Sequence, residues 1–174
     1  MHVAQGADGV LSVARADYDS LPLEVQRRML IAALRWMSGA DHPPRERALM
    51  GVQAAIAGRR DAPLGGCRFR CQGEVIRIVR EAKAAQGVCD LGQMWDGRWR
   101  VTGPGGAGLT LRALGAEGLR ACKSWRACGI SRDALLVSPA VWRGDTLIAA
   151  PLAGFAQGYD AKIDTSFNSF LLSH

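Results

Sequence analysis

The hydrophobic pattern of this chain changes period partway along. From residue 23 to 37, Leu23, Met29, Leu30, Ala33, Leu34 and Met37 recur near helical spacing. Ser20 is a candidate cap, Pro22 suits a first turn, and Glu24 favours the positive end of a helix dipole. Gly39 offers a stop, and Arg27, Arg28 and Arg35 lie away from most of the apolar stripe. A second helix is predicted to open after Asp41-His42-Pro43-Pro44 and run to about Ala57, burying Leu49, Val52, Ala55 and Ile56 and ending at Gly58. A short proline-containing turn between the two implies an antiparallel or angled pair.

Alternation then replaces the helical period. Leu64 to Cys71 and Glu74 to Arg80 flank Gln72-Gly73 and read as a β-hairpin, with Cys67, Phe69 and Cys71 on one face and Arg68 and Arg70 on the other. The register of the second run is ambiguous around Val75-Ile76. Further on, Asp96-Gly97 reads as a turn into a strand, 103–108 as a loop, and Leu109 to Leu114 as a strand. Gly115 to Ala127 reads as one helix closed by Gly129, and Pro139 to Ala150 as a hairpin around Gly144-Asp145. Before these elements, residues 1–9 read as a frayed linker and Val10-Leu11-Ser12-Val13 as a short strand. The tail from Lys162 to His174 reads as a candidate edge strand through Phe167, Phe170 and Leu171-Leu172. The expected class is α+β: a helical pair with a β-hairpin over 1–83, a linker and strand over 84–108, and a small mixed domain over 109–174.

With 174 residues, 48% of them hydrophobic, a packed core is expected. No apolar run approaches the roughly 20 residues of a membrane span, and Met1 to Gly6 lacks the form of a secretory signal, so a soluble cytoplasmic protein is expected. Five cysteines, Cys67, Cys71, Cys89, Cys122 and Cys128, include no Cys-x-x-Cys pair, and the histidines His2, His42 and His174 are remote from them. No metal site is expected, and the thiols read as reduced and largely buried.

Charge changes the picture. The net charge is +6, and only Lys83, Lys123 and Lys162 among 22 cationic residues are lysines. Arginine offers a planar fork that suits phosphate and stacks on bases, which points to nucleic acid; a GC-rich genome gives the same composition without that function. Two basic groups stand out. Arg120, Lys123 and Arg126 are spaced three apart with Trp125 among them, and Arg68, Arg70, Arg77 and Arg80 share the hairpin. Each reads either as a phosphate-facing surface or as ordinary outward polarity. Trp99, between Arg98 and Arg100, is the candidate for base stacking. Gly103, Gly105 and Gly108 match G-x-G-x-x-G, but strand-like Leu109-Thr110-Leu111 follows where a dinucleotide site needs a helix. No catalytic residue set is evident, so binding ranks above chemistry.

Two stretches resemble a known family. Leu21-Pro22 with Arg27-Arg28-Met29-Leu30 and Ala33-Leu34-Arg35-Trp36 is similar to the helix that follows the catalytic domain in tRNA(Ile)-lysidine synthetases. The hairpin beginning Leu64-Gly65-Gly66-Cys67-Arg68 also sits where that family has one. More specifically, Arg120, Lys123, Trp125, Gly129, Arg132-Asp133, Pro139 and Gly144-Asp145 follow the family's order of basic helix, glycine, Arg-Asp and proline-led hairpin. Ala121 and Cys122 stand where another cation is common, Ser131 replaces an aromatic, and extra residues fall within Ala134 to Ser138. The family's Ser-Gly-Gly-x-Asp-Ser ATP loop is absent from this chain.

The resemblance implies the tRNA-binding C-terminal part of a ligase that uses ATP and magnesium elsewhere to convert the wobble cytidine of isoleucine tRNA to lysidine. It implies that this chain alone is inactive, holds no cofactor, and partners isoleucine tRNA and the N-terminal catalytic domain, with a homodimer also open. The RNA-binding residues it implies are Arg120, Lys123, Arg126, Arg132, Arg68 and Arg70. A protein-docking module without RNA contact and an independent enzyme using Cys71 or Cys122 are the alternatives.

Overall fold

The computed structural model describes residues 3–173, and the chain divides into two compact units: residues 1–81 with 165–174, and residues 82–164. Both mix helices with antiparallel sheet, which makes the fold α+β as expected.

The first unit is a five-stranded sheet covered by helices. Its elements are β1 (Val3–Gln5), β2 (Leu11–Ala14), α1 (Arg15–Asp19), α2 (Leu23–Ser38), α3 (Glu46–Ala57), β3 (Ala62–Leu64), β4 (Cys67–Gln72) and β5 (Val75–Arg80). The strand order is β1-β2-β5-β4-β3, antiparallel throughout. Register places Leu11 opposite Ile78, Val13 opposite Ile76 and Phe69 opposite Ile78, so these buried side chains share one face. The helical pair α2 and α3 packs on that sheet. Both helices end close to where the sequence places them, at Gly39 in the left-handed conformation (φ 67°) and at Gly58. The buried face of α3 is Leu49, Val52, Ala55 and Ile56, as expected.

Several expectations are corrected. The expected frayed linker over 1–9 contains β1, which edges the sheet; Met1 and His2 lie outside the described residues. Ser20 does not cap α2. It ends α1, where its hydroxyl donates to the Asp17 carbonyl, and Pro22 precedes α2 instead. The run from Leu64 to Cys71 is two strands, because Gly65 and Gly66 both adopt positive φ and turn the chain between β3 and β4. The tail is a helix, Phe167–Ser173, and not an edge strand. Ser166 starts it by accepting the Ser169 backbone N–H at 3.1 Å. Phe167 meets Trp36 edge to face at 5.7 Å, and the Trp36 indole donates to the Thr165 carbonyl at 2.8 Å.

The second unit contains β6 (Cys89–Asp90), β7 (Trp99–Thr102), β8 (Leu109–Ala113), α4 (Gly115–Ala121), α5 (Arg132–Leu136), β9 (Pro139–Arg143), β10 (Thr146–Ala149) and β11 (Asp160–Ile163). One sheet runs β10-β9-β8-β6 and a two-stranded ribbon pairs β11 with β7. Of the linker and strand expected over 84–108, the strand is β7, which follows the Asp96-Gly97 turn, while the remainder also supplies β6 and the buried Ala85 and Trp95 of a core cluster. A second cluster gathers Leu114, Leu119, Cys122, Leu135, Ala140 and Trp142. The expected hairpin around Gly144-Asp145 is β9 and β10.

Candidate nucleic-acid interface

The expected helix from Gly115 to Ala127 is broken. It stops as α4 at Ala121, because Cys122 leaves the helical conformation (φ −88°, ψ 86°), and the chain re-enters a tight 3-10 turn at Trp125–Cys128. The inward residues explain the path. Leu119 and Cys122 are buried in the second core cluster, and Trp125 packs partly against it. The residues that follow each of them, Arg120, Lys123 and Arg126, are exposed. A three-residue alternation of inward apolar and outward cationic side chains thus survives the loss of the continuous helix. Arg132 is exposed at the first position of α5, whose Leu135 belongs to the same cluster as Leu119.

None of Arg120, Lys123, Arg126 and Arg132 is tied to a carboxylate among the described residues. Arg126 instead lies over the Trp125 ring, its guanidinium carbon 4.6 Å from the ring centroid. Such a contact contributes roughly 0.5–1 kcal/mol at an exposed site and holds the guanidinium in place. Four solvated cations over a fixed apolar support are chemically suited to phosphate.

The hairpin arginines are arranged differently. Arg70 and Arg77 are direct cross-strand partners, and Arg68 lies two residues along on the same outer face. Like charges placed opposite one another repel, and acids compensate here. Asp8 approaches Arg77 at 3.9 Å, and Glu81, only 9% exposed, approaches Arg68 at 3.6 Å. Arg80 pairs with Cys67 across the strands, so it falls on the opposite face, where it donates to the Gly66 carbonyl at 3.2 Å. The six residues expected to bind RNA therefore fall into two sets in separate units: Arg120, Lys123, Arg126 and Arg132 in one, Arg68 and Arg70 in the other.

Other candidates resolve into structural roles. Trp99 is 1% exposed in the first core cluster of its unit and presents no face to a base. Trp36, Trp95 and Trp142 are buried as well, leaving Trp125 as the half-exposed tryptophan. The glycine-rich loop leads into strand β8, and at Gly103 (φ 156°) an added Cβ would collide with the Tyr159 ring. The Tyr159 hydroxyl donates to the Pro104 carbonyl at 2.7 Å, which pins that loop. All five cysteines are free thiols. Burial pushes the Cys122 and Cys89 thiols up, the opposite of what a thiolate nucleophile requires. No group of three His, Cys, Asp or Glu is placed to hold a metal ion among the described residues, and no described helix is long and apolar enough to cross a membrane.

Sequence reading misses two features. The Trp125-Arg126 stack is legible there only as adjacent residue types. The acids Asp8 and Glu81 sit outside the hairpin window, Asp8 in the segment that reads as a frayed linker and Glu81 just past the second hairpin run.

No protein-family model and no solved structure matches this chain. It is 42% identical over 161 residues, 90% of its length, to a tRNA(Ile)-lysidine synthase from Ruegeria pomeroyi. The chain spans 38% of that protein's length and matches its C-terminal region.

Proposed function

We propose that this chain is the tRNA-binding part of a lysidine-forming ligase, and that it holds isoleucine tRNA through the second unit. The observation that carries this reading is the 42% identity to a tRNA(Ile)-lysidine synthase along 90% of the chain. Support for the location comes from Arg120, Lys123, Arg126 and Arg132, which stand exposed and without acidic partners among the described residues. In this reading ATP, magnesium and the chemistry at the wobble cytidine belong to a separate catalytic part, and the complex works in the cytoplasm. This chain contributes position: structured RNA is read largely by shape and backbone, and a rigid cationic surface fixes which tRNA reaches the reacting atoms. Arg68 and Arg70 keep a secondary place, because the acids beside their sheet face oppose phosphate.

The test is binding of the whole chain to isoleucine tRNA across a salt series. A log-log slope of several units is expected, at roughly 0.7–0.9 per phosphate neutralised, and it should fall when the four second-unit cations are replaced by alanine. Undetectable binding to any tRNA at low salt would sink the reading.

A second reading is favoured by a distinct observation. A groove of about 390 Å³ beside α2 is lined by Val25, Met29, Ile31, Ala32, Phe170 and Leu171, with Val25, Leu171 and Leu172 all exposed. Such a surface suits a protein partner, either the catalytic part of the same enzyme or a second copy. Self-association measured by light scattering would support the second copy.

A further inference from the structure

Arginine lies over tryptophan at Arg98, Arg112 and Arg126 of the second unit, and these places are not equivalent. Arg98 and Trp99 are both buried, 4% and 1% exposed, and serve the core. Arg112 lies 3.8 Å from the centroid of the buried Trp142 ring, and it is also engaged by Asp145 at 3.8 Å and by the Gly144 carbonyl. Arg126 differs from both. It is exposed, no carboxylate engages it among the described residues, and the ring beneath it is itself half-exposed. The support under it is firm. Trp125 packs on the second core cluster, and its 3-10 turn packs against a second such turn at Pro151–Ala153.

With its central carbon 4.6 Å from the indole centroid, the Arg126 guanidinium has the ring on one side and, being exposed, solvent on the other. Its open face is planar, cationic and without competing hydrogen-bond partners, which is the geometry on which a nucleobase stacks. Bases within a duplex are covered on both faces by their neighbours, so an unpaired base is the one that reaches this place without breaking a stack. We propose that Arg126, positioned by Trp125, is a stacking platform for one unpaired nucleobase of the bound RNA, forming a tryptophan–arginine–base sandwich. The inference rests on the RNA reading above and adds a preference for an unpaired nucleotide. Phosphates are held by Arg120, Lys123 and Arg132, and Arg126 reads a base. Trp125 is a positioning residue and Arg126 the contacting one.

The experiment separates base from phosphate. Two loop-free RNA duplexes are compared on the whole chain: one carries a four-nucleotide single-stranded overhang, the other the same overhang made of abasic nucleotides. Their charges are identical. The wild-type chain should bind the first roughly five- to 150-fold more tightly, the range that one stacked base is worth. Arg126→Lys keeps the charge and loses the plane, so it should erase most of that preference while leaving the salt slope unchanged. Trp125→Phe should reduce the preference in part; Trp125→Ala should abolish it, and its folding is checked by thermal melting. Equal affinity of the wild-type chain for the two RNAs overturns the platform while leaving the RNA reading intact. Full preference retained in Arg126→Lys overturns it also. Failure to bind either RNA removes both readings together.

Discussion

The two units carry the same net charge and spend it differently. Residues 1–81 with 165–174 hold 12 cations against 9 acids, and residues 82–164 hold 10 against 7, so each is +3. In the first unit, several arginines are drawn into architecture, while Arg45, Arg47 and Arg60 stay exposed. Arg15 is buried and donates to the Ile56 carbonyl at the end of α3 at 2.6 Å, Arg27 bridges to Glu46 at 3.1 Å, and Arg68 and Arg77 face Glu81 and Asp8. In the second unit, the cations from 120 to 132 are left to solvent. Net charge is therefore a poor guide to where a polyanion binds. What counts is which cations have already been paired, because a phosphate must displace an existing partner or else find the site open.

The comparison breaks most directly through RNA binding. Replacing Arg120, Lys123 and Arg132 by alanine should lower the salt slope by about 2–3 units and weaken binding at least tenfold near physiological salt, at roughly 0.7–0.9 of slope for each phosphate left without its cation. The matching triple change of Arg68, Arg70 and Arg77 should move the slope by less than one unit; equal effects from the two triples would end the distinction.

Next in size is a stability effect confined to the support of the basic segment. Gly118 lies in α4, where an added Cβ would meet Leu114 at 2.6 Å and Trp142 at 2.9 Å. Gly118→Ala should cost about 1–3 kcal/mol by overpacking, read by denaturant titration, and should weaken RNA binding only as far as it unfolds the unit. A smaller effect comes from unmasking the other surface. Asp8→Asn with Glu81→Gln should raise RNA affinity a few-fold, because two opposing charges leave the sheet face. No gain would show that the acids are not what silences it.

The smallest expected change lies in the buried polar chemistry of the first unit. The Tyr18 hydroxyl is buried and has no hydrogen-bond partner among the described residues, and burial, with Asp19 close by, pushes its pKa up from 10.0. Its folded value thus exceeds its unfolded one, so its contribution to stability is complete below pH 10 and falls as pH rises beyond it. Tyr18→Phe should change stability at pH 7 by no more than about 1 kcal/mol and flatten the alkaline decline, measured by denaturant titration against pH. A large loss at neutral pH would mean the hydroxyl is bonded after all.

The sequence by itself determined the elements that rest on local periodicity. The helical pair, the buried face of α3, the β4–β5 turn and the β9–β10 hairpin follow from side-chain spacing and turn residues, which act over a few positions. It also determined which residue types stood in the basic segment. Tertiary structure decided the rest. Residues 3–5 become a strand only because β2 offers them an edge, and the tail becomes a helix because Phe167 finds Trp36 far away in the chain. The helix expected through Cys122 breaks because the core cluster draws Leu119, Cys122 and Trp125 inward, which overrides a weak helical preference. Whether an arginine is free or paired depends on acids distant in sequence, Asp8 for Arg77 among them, and no local pattern encodes that distance.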